Sequence, residues 1–214
     1  PARIASGIKY VLIEASLAGH TCFPREMLIS RCVASLGVDE TEVLAAYAEL
    51  KRSCGIIEDS GYAYLASFYN AELYTAARLA QMCVQNFEYD RDKTDKFIKD
   101  YSDKHTLTLS DAQKSAVHAA MSCGAVIITG GPGTGKTTIM RLVLDMFTEQ
   151  KLAVSLCAPT GKAAKRLSES CGKEAKTLHR LLGVEMSERE DQRFSKNEQN
   201  PLDCDVVIVD EMSM

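Results

Sequence analysis

No stretch of this 214-residue sequence approaches the roughly 18–20 consecutive apolar residues that a membrane-crossing helix needs. Nothing in it resembles a signal peptide. Its eight cysteines are scattered, with no Cys-x-x-Cys pair, so neither a zinc site nor a disulfide framework is expected. A reducing, cytoplasmic home is the simpler expectation. Net positive charge is lacking too, because 29 acidic residues outnumber 25 basic ones and leave −4. Any nucleic-acid contact must therefore come from a local basic patch rather than from the overall field. What remains is an ordinary globular balance, 46% apolar and 25% charged, with length enough for one or two domains and a sizeable core.

The most informative stretch is Thr129 to Thr138, Thr-Gly-Gly-Pro-Gly-Thr-Gly-Lys-Thr-Thr. It contains Gly-x-x-x-x-Gly-Lys-Thr, from Gly130 to Thr137. A nucleotide's phosphate tail carries several negative charges that must be held without water. A glycine-rich loop can turn its backbone N–H groups inward because no side chains block the approach. The helix that follows adds the positive end of its dipole and its unpaired N–H groups. Gly131, Pro132, Gly133, Thr134, Gly135, Lys136, Thr137 and Thr138 form this cradle. Lys136 is expected to reach the β- and γ-phosphates of ATP, and the Thr137 hydroxyl to ligate Mg²⁺. The flanks agree. Ala125–Thr129 is short, apolar and β-branched, which predicts a buried parallel strand. Ile139, Leu142, Val143, Met146 and Phe147 recur at helical spacing behind the loop.

The first hundred residues predict a mainly helical module. Ile4, Ile8, Val11, Leu12 and Ala15 form one stripe, with Gly19 as a stop. Pro24 suits the start of a second helix carrying Leu28, Cys32, Val33 and Leu36. Asp39, Glu40 and Glu42 open a third, whose buried face is Val43, Leu44, Tyr47 and Leu50. Gly55–Glu58, a turn at Asp59-Ser-Gly61, and Tyr62–Leu65 read as a hairpin. Three helices and a hairpin suggest a winged-helix-like unit. Its third helix offers only Lys51 and Arg52 as basic groups, so DNA contact and a structural or partner-docking role both stay open. A longer helix should follow with Leu73, Ala76, Ala77, Ala80 and Val84 inward. The charge-alternating segment from Glu88 to His105 reads as a solvated connector with pairs such as Asp92–Lys96 and Asp95–Lys99. The domain boundary is placed near residue 104, giving units 1–104 and 105–214.

In the second half, Ser110-x-x-Gln113 fits a capping box. Gln113 is equally able to read the edge of adenine through its amide, and the sequence leaves both open. Leu152–Cys157 predicts a second strand, followed by a helix with Ala163, Ala164 and Leu167. A helical piece then carries Ala175, Leu178, Leu181 and Leu182. Lys162, Lys165, Arg166, Lys173, Lys176 and Arg180 cluster here with His179. Just past a strand end, such a cluster is either a solvated face or a phosphate-backbone contact. Residues 184–204 form a polar excursion, a candidate hairpin, containing Phe194. Val206–Val209 is a third strand ending in Asp210-Glu211. An aspartate there can hold Mg²⁺, and the glutamate can orient or deprotonate an attacking water.

Gly130–Thr138, Ala158-Pro-Thr-Gly-Lys-Ala-Ala164, Thr177-Leu-His-Arg-Leu-Leu182 and Val209-Asp-Glu-Met-Ser-Met214 resemble, in order and spacing, the first motifs of RecD-like superfamily 1 DNA helicases. Gly19-His-Thr21 and Tyr69-Asn-Ala-Glu72 resemble the region before the motor in the amino-terminally extended branch. The resemblance implies an α/β chain: a winged-helix-like N-terminal domain, then a truncated RecA-like P-loop NTPase domain with a parallel sheet. It places Gln113 in the adenine-reading motif and Lys136, Asp210 and Glu211 in catalysis. It assigns Thr137 and Asp210 to Mg²⁺, and Thr160, Lys162, Thr177 and His179 to single-stranded DNA. The segment around Phe194 resembles a short strand-parting pin. The implied activity is ATP-driven 5′–3′ helicase or translocase action on single strands or single-/double-strand junctions, in repair or recombination.

The chain is expected to be a piece of a longer protein. A piece without the second motor domain and its arginine finger, worth about 10³–10⁵ in rate, is expected to bind nucleotide weakly without turnover or unwinding. The strand order of this branch puts another strand between residues 125–129 and 206–209, so no direct backbone bonds are expected between those two segments. The competing classes are a small-molecule kinase or other P-loop NTPase, and a non-catalytic DNA- or partner-binding module.

Overall fold

The computed structural model describes residues 2–186 and 192–213. The chain divides into two compact units, Pro1–Met82 and Cys83–Met214. In the first, α1 (Ala2–Leu17) is followed by β1 (Cys22–Pro24), α2 (Arg25–Leu36), α3 (Glu40–Arg52), β2 (Ile56–Asp59), β3 (Tyr62–Leu65) and α4 (Ala66–Cys83), whose last residue already belongs to the second unit. Most of the stripes expected for the first three helices are buried: Ile4, Ile8, Val11, Leu12 and Ala15 on α1, Leu28 and Cys32 on α2, Val43, Tyr47 and Leu50 on α3, while Val33, Leu36 and Leu44 are half-buried and Ile29, outside the expected stripe, is buried. β2 and β3 pair antiparallel, with Asp59 opposite Tyr62. The two turn residues both take positive φ, Ser60 at 50° and Gly61 at 81°, the backbone that matches the twist of a tight hairpin. The sequence did not disclose β1, which adds to β3 to complete a three-stranded sheet in the order β1-β3-β2.

The two segments resembling the pre-motor region come together. The Thr21 hydroxyl donates to Glu72 at 3.4 Å, and Tyr69 meets Tyr64 edge-on with ring centroids 5.2 Å apart. The long helix itself departs from expectation. No residue of α4 is buried, and Leu73 and Val84 are 58% and 78% exposed. An apolar stripe identifies the face a helix would bury; burial also requires an element to lie against it.

The second unit contains α5 (Arg91–His105), α6 (Asp111–Ser122), α7 (Lys136–Glu149), β4 (Val154–Ala158), α8 (Gly161–Cys171), β5 (Ala175–Thr177), α9 (Leu178–Leu181), β6 (Val184–Met186), β7 (Gln192–Phe194) and β8 (Val206–Val209). The segment from Glu88 to His105 is more than a solvated connector. Ile98 and Tyr101 of α5 lie in the core of this unit, and Asp95 accepts from or pairs with His118 of α6 at 3.0 Å, where a pairing with Lys99 was expected. The expected boundary near 104 thus falls just before the end of α5, whereas the contacts divide the chain at Met82–Cys83.

The sheet is parallel, in the order β5-β4-β8. α7 packs its Ile139, Leu142, Val143, Met146 and Phe147 into the same core as Val154 and Leu156 of β4 and Leu167 of α8. Two expectations change. Ala125–Thr129 is not a buried strand: it has no strand pairing, and Ile127 is 85% exposed, although Ile128 still packs on the core. Among the described residues no backbone bond joins it to Val206–Val209. Ala175, expected on a helix, begins β5, because pairing Ala175–Thr177 with Leu156–Ala158 of β4 overrides a local helical pattern. The excursion after residue 184 is a hairpin, with Val184 opposite Phe194; residues 187–191 lie outside the described part.

Leu142, fully buried at the centre of α7, ties the helix behind the phosphate loop to the sheet. Leu142→Ala is expected to destabilise this unit by about 2–5 kcal/mol, read as a lower urea midpoint. A loss under about 0.5 kcal/mol would show that α7 is not held by this core.

Candidate nucleotide and nucleic-acid site

Parallel strands carry their following loops to one edge. β4 and β5 are in register with Ala158 opposite Thr177, and β4 and β8 with Cys157 opposite Val209. The ladder continues one step past β8, where the Asp210 N–H donates to the Cys157 carbonyl at 3.0 Å. Thr160-Gly-Lys162, Thr177-Leu-His179 and Asp210-Glu211 therefore leave adjacent strands, each about 4.8 Å from the next, at the C-terminal edge where open α/β sheets bind ligands. Three segments separated by up to fifty residues in sequence share one edge.

The phosphate-loop segment belongs to the same unit and leads into α7. Gly133 and Gly135 take φ of 76° and 82°, the left-handed region open to glycine at little cost. Gly135 caps α7 with no side-chain bond, so the first N–H groups of this 14-residue helix have no side-chain acceptor. Uncapped N–H groups at the positive end of a helix dipole suit an anion. The Lys136 ammonium folds back on the loop and donates to the carbonyls of Gly130 and Gly131 at 2.6 and 2.8 Å. Thr134 closes the loop through its hydroxyl, which donates to the Gly131 carbonyl at 2.9 Å. Pro132 and Thr137 are exposed and Thr138 is half-buried on the first turn of α7.

Ser110 and Gln113 form the full capping box of α6. Gln113 N–H donates to the Ser110 hydroxyl at 3.3 Å, and Ser110 N–H donates to Gln113 Oε1 at 2.8 Å. The other end of the same amide donates to the Thr134 carbonyl at 3.0 Å. That third bond, which joins α6 to the phosphate loop, has no signature in the local residue pattern.

Asp210 is half-buried, and its Oδ1 accepts the Glu211 N–H at 2.9 Å. Glu211 stands at φ 55°, uncommon for a residue with a Cβ and a sign of local strain at the strand end. Its side chain is exposed. Among the described residues, no three His, Cys, Asp or Glu side chains cluster closely enough to hold a metal by themselves. The Thr137 hydroxyl and the Asp210 carboxylate are oxygen donors of the kind Mg²⁺ takes, a cation that usually completes its shell with water and phosphate oxygens. Thiol chemistry does not fit the edge, because burial, with the neighbouring Cys204 second, pushes the Cys157 thiol up to about 11.

The two threonines of the DNA-directed set are helix caps. Thr160 Oγ1 accepts from Ala163 N–H at 3.2 Å, and Thr177 Oγ1 accepts from Arg180 N–H at 3.2 Å. A Thr immediately before each helical stretch was the readable signal for this role. Lys162 and His179 are exposed. The His179 ring lies 6.3 Å from that of Phe194, at the open end of the hairpin where Phe194 pairs with Val184. Lys162, Lys165, Arg166, Lys173, Lys176 and Arg180 are all exposed, and none is paired with an acidic side chain among the described residues. The first unit contrasts: Lys51 pairs with Glu58 at 3.3 Å and Arg52 pairs with Glu49, so the cations of α3 are already engaged.

The comparisons agree with these segments. A family described as an AAA domain matches residues 113–214. The chain is 46% identical over 106 residues to the ATP-dependent RecD2 DNA helicase of Deinococcus radiodurans, covering 50% of this chain and 14% of that protein. It is 41% identical over 127 residues to the RecBCD enzyme subunit RecD of Mycobacterium tuberculosis, covering 49% and 21%. To the RecD subunit of Haemophilus influenzae it is 40% identical over 154 residues, covering 60% and 23%. The chain thus spans less than a quarter of the length of each of these relatives.

At Gly135 an added Cβ would lie 2.6 Å from Gln113 Nε2, at a φ unfavourable for any L side chain. Gly135→Ala is expected to lower the stability of the second unit by about 1–2 kcal/mol, visible as a drop in thermal midpoint. An unchanged midpoint would mean that this loop conformation is not the one held in solution.

Proposed function

We propose that this chain, whose sequence is similar to ATP-dependent RecD2 DNA helicase and to RecBCD subunit RecD, forms the nucleotide-binding half of an ATP-driven DNA helicase or translocase of the RecD-like superfamily 1 type. The observation that carries the proposal is the uncapped N-terminus of α7, preceded by Gly133 and Gly135 in left-handed backbone and straddled by the Lys136 ammonium. Such a terminus is a fitted anion receptor. On binding ATP, Lys136 exchanges two loop carbonyls for phosphate oxygens, and the N–H groups of residues 131–138 line the rest of the cradle. Bound Mg²⁺ supplies charge neutralisation of the β- and γ-phosphates. Thr137 and Asp210 hold it, and Glu211 positions and deprotonates the attacking water. Gln113 completes the nucleotide-binding set.

Single-stranded DNA then runs along the edge that carries Lys162 and His179, with Thr160 and Thr177 fixing the two turns. The unpaired cations around it supply the backbone attraction. Phe194, beside His179, is placed to meet bases at a single-/double-strand junction. In the whole protein we expect 5′–3′ movement in DNA repair or recombination, inside the cell. A kinase-like reading gains nothing from the basic edge, which suits a polyanion better than a small acceptor.

Lys136→Ala is expected to weaken ATP–Mg²⁺ binding about 10- to 100-fold in titration calorimetry, the worth of a charged hydrogen bond. Full retention of affinity would sink the nucleotide assignment. Lys162→Ala is expected to lower affinity for a single-stranded oligonucleotide and to shallow the log–log salt slope by about 0.7. A loss on changing Lys51 and Arg52, with Lys162 silent, would move DNA binding to the first unit.

A further inference from the structure

We propose that Gln113 is a positioning residue for the phosphate loop, holding it in its anion-binding shape whatever base the nucleotide carries. This rests on the nucleotide reading above and adds a role to that residue. A glutamine amide has one carbonyl oxygen and one NH₂ group. To read adenine it must accept from the base's N6 amine and donate to N7. One lone pair of Oε1 and one hydrogen of Nε2 are spent on the protein here: Oε1 accepts the Ser110 N–H at 2.8 Å and Nε2 donates to the Thr134 carbonyl at 3.0 Å, and the two bonds together fix the plane of the amide.

The bond to Thr134 has a directional consequence. Across a planar trans peptide the carbonyl and the following N–H point opposite ways. Anchoring the Thr134 carbonyl on Gln113 therefore turns the Gly135 N–H away from α6. That N–H directly precedes the uncapped first turn of α7. Left free, the peptide between two positions of such permissive backbone could rotate, and a rotated peptide would present a carbonyl to an anion. The brace is continued inside the loop by the Thr134 hydroxyl on the Gly131 carbonyl at 2.9 Å. Gly135 is itself fitted to the brace, since a Cβ there would overlap Gln113 Nε2. The capping box fixes the far end, so Gln113 transmits the position of a rigid helix start to a loop rich in glycine.

A brace and a base reader differ in what they do to a ligand without a base. The test is calorimetric titration of this chain with Mg²⁺-bound inorganic tripolyphosphate, ATP and GTP. Gln113→Met removes the donor without adding charge, and Gln113→Glu keeps the capping acceptor but cannot donate. The Gly135 amide resonance, which belongs to the same peptide as the Thr134 carbonyl, is followed in parallel without ligand. A brace predicts that both variants weaken all three ligands by a similar factor, roughly three- to tenfold. It also predicts that the Gly135 resonance shifts in both. Weakening of ATP alone, with tripolyphosphate and GTP unaffected, would overturn the proposal in favour of base reading. Weakening in Gln113→Glu only would overturn it as a charge effect. If the unmodified chain binds tripolyphosphate and Gln113→Met binds it equally well, the brace fails while the phosphate site stands. If the unmodified chain binds none of the three, the nucleotide reading fails and takes this inference with it.

Discussion

The register of β4 against its two neighbours is the constraint on which the candidate site depends. Parallel pairing of Val154–Cys157 with Val206–Val209, and of Leu156–Ala158 with Ala175–Thr177, delivers three loops to the same edge. A slip of one residue would invert every side chain on β8 and carry Asp210 to the opposite face. The Asp210 N–H bond to Cys157 extends the ladder by one step beyond the strand and so fixes where the carboxylate begins. Leu156, buried, and Ile208, half-buried, stand opposite each other in this register and both pack on the core of the second unit.

The turns that leave this edge are made rigid by economical means. Thr177 ends β5 and Thr160 lies two residues past β4; each caps the helix that follows, using its hydroxyl to satisfy a backbone N–H of that helix. With the threonines committed to shape, Lys162 and His179 are the members of those segments left facing solvent. The phosphate loop follows the opposite scheme. Its helix starts without a side-chain cap, and the loop is steadied from outside by Gln113 and from within by Thr134 and Lys136. Capping satisfies donors where nothing is to be bound, and omission of a cap leaves them for an anion.

Much of this was legible in the residues. The helical stripes of α1, α3 and α7 and the capping box at Ser110 follow from local pattern, and local pattern held. Motif spacing sufficed to place Thr160 and Asp210 just past strand ends, whereas Thr177, expected beside a helical piece, is the last residue of β5. What escaped the sequence depended on partners distant in the chain. Cys22–Pro24 became a strand only because β3 offered an edge, and Ala175 only because β4 did. Ala125–Thr129 has the composition of a buried strand but no neighbour to pair with, and composition cannot report a missing neighbour. α4 failed in the same way, with an apolar stripe and nothing over it. The Gln113–Thr134 bond spans 21 residues and involves a backbone carbonyl, which carries no residue identity to read.

The free side of β8 carries one more implication. Val206-Val-Ile-Val209 has β4 along one side only among the described residues, and Val207 is 43% exposed. A short, uncharged, β-branched strand with an open side is a template on which further chains can stack. The two residues bracketing it are Asp205 and Asp210, negative charges of the kind that discourage such stacking.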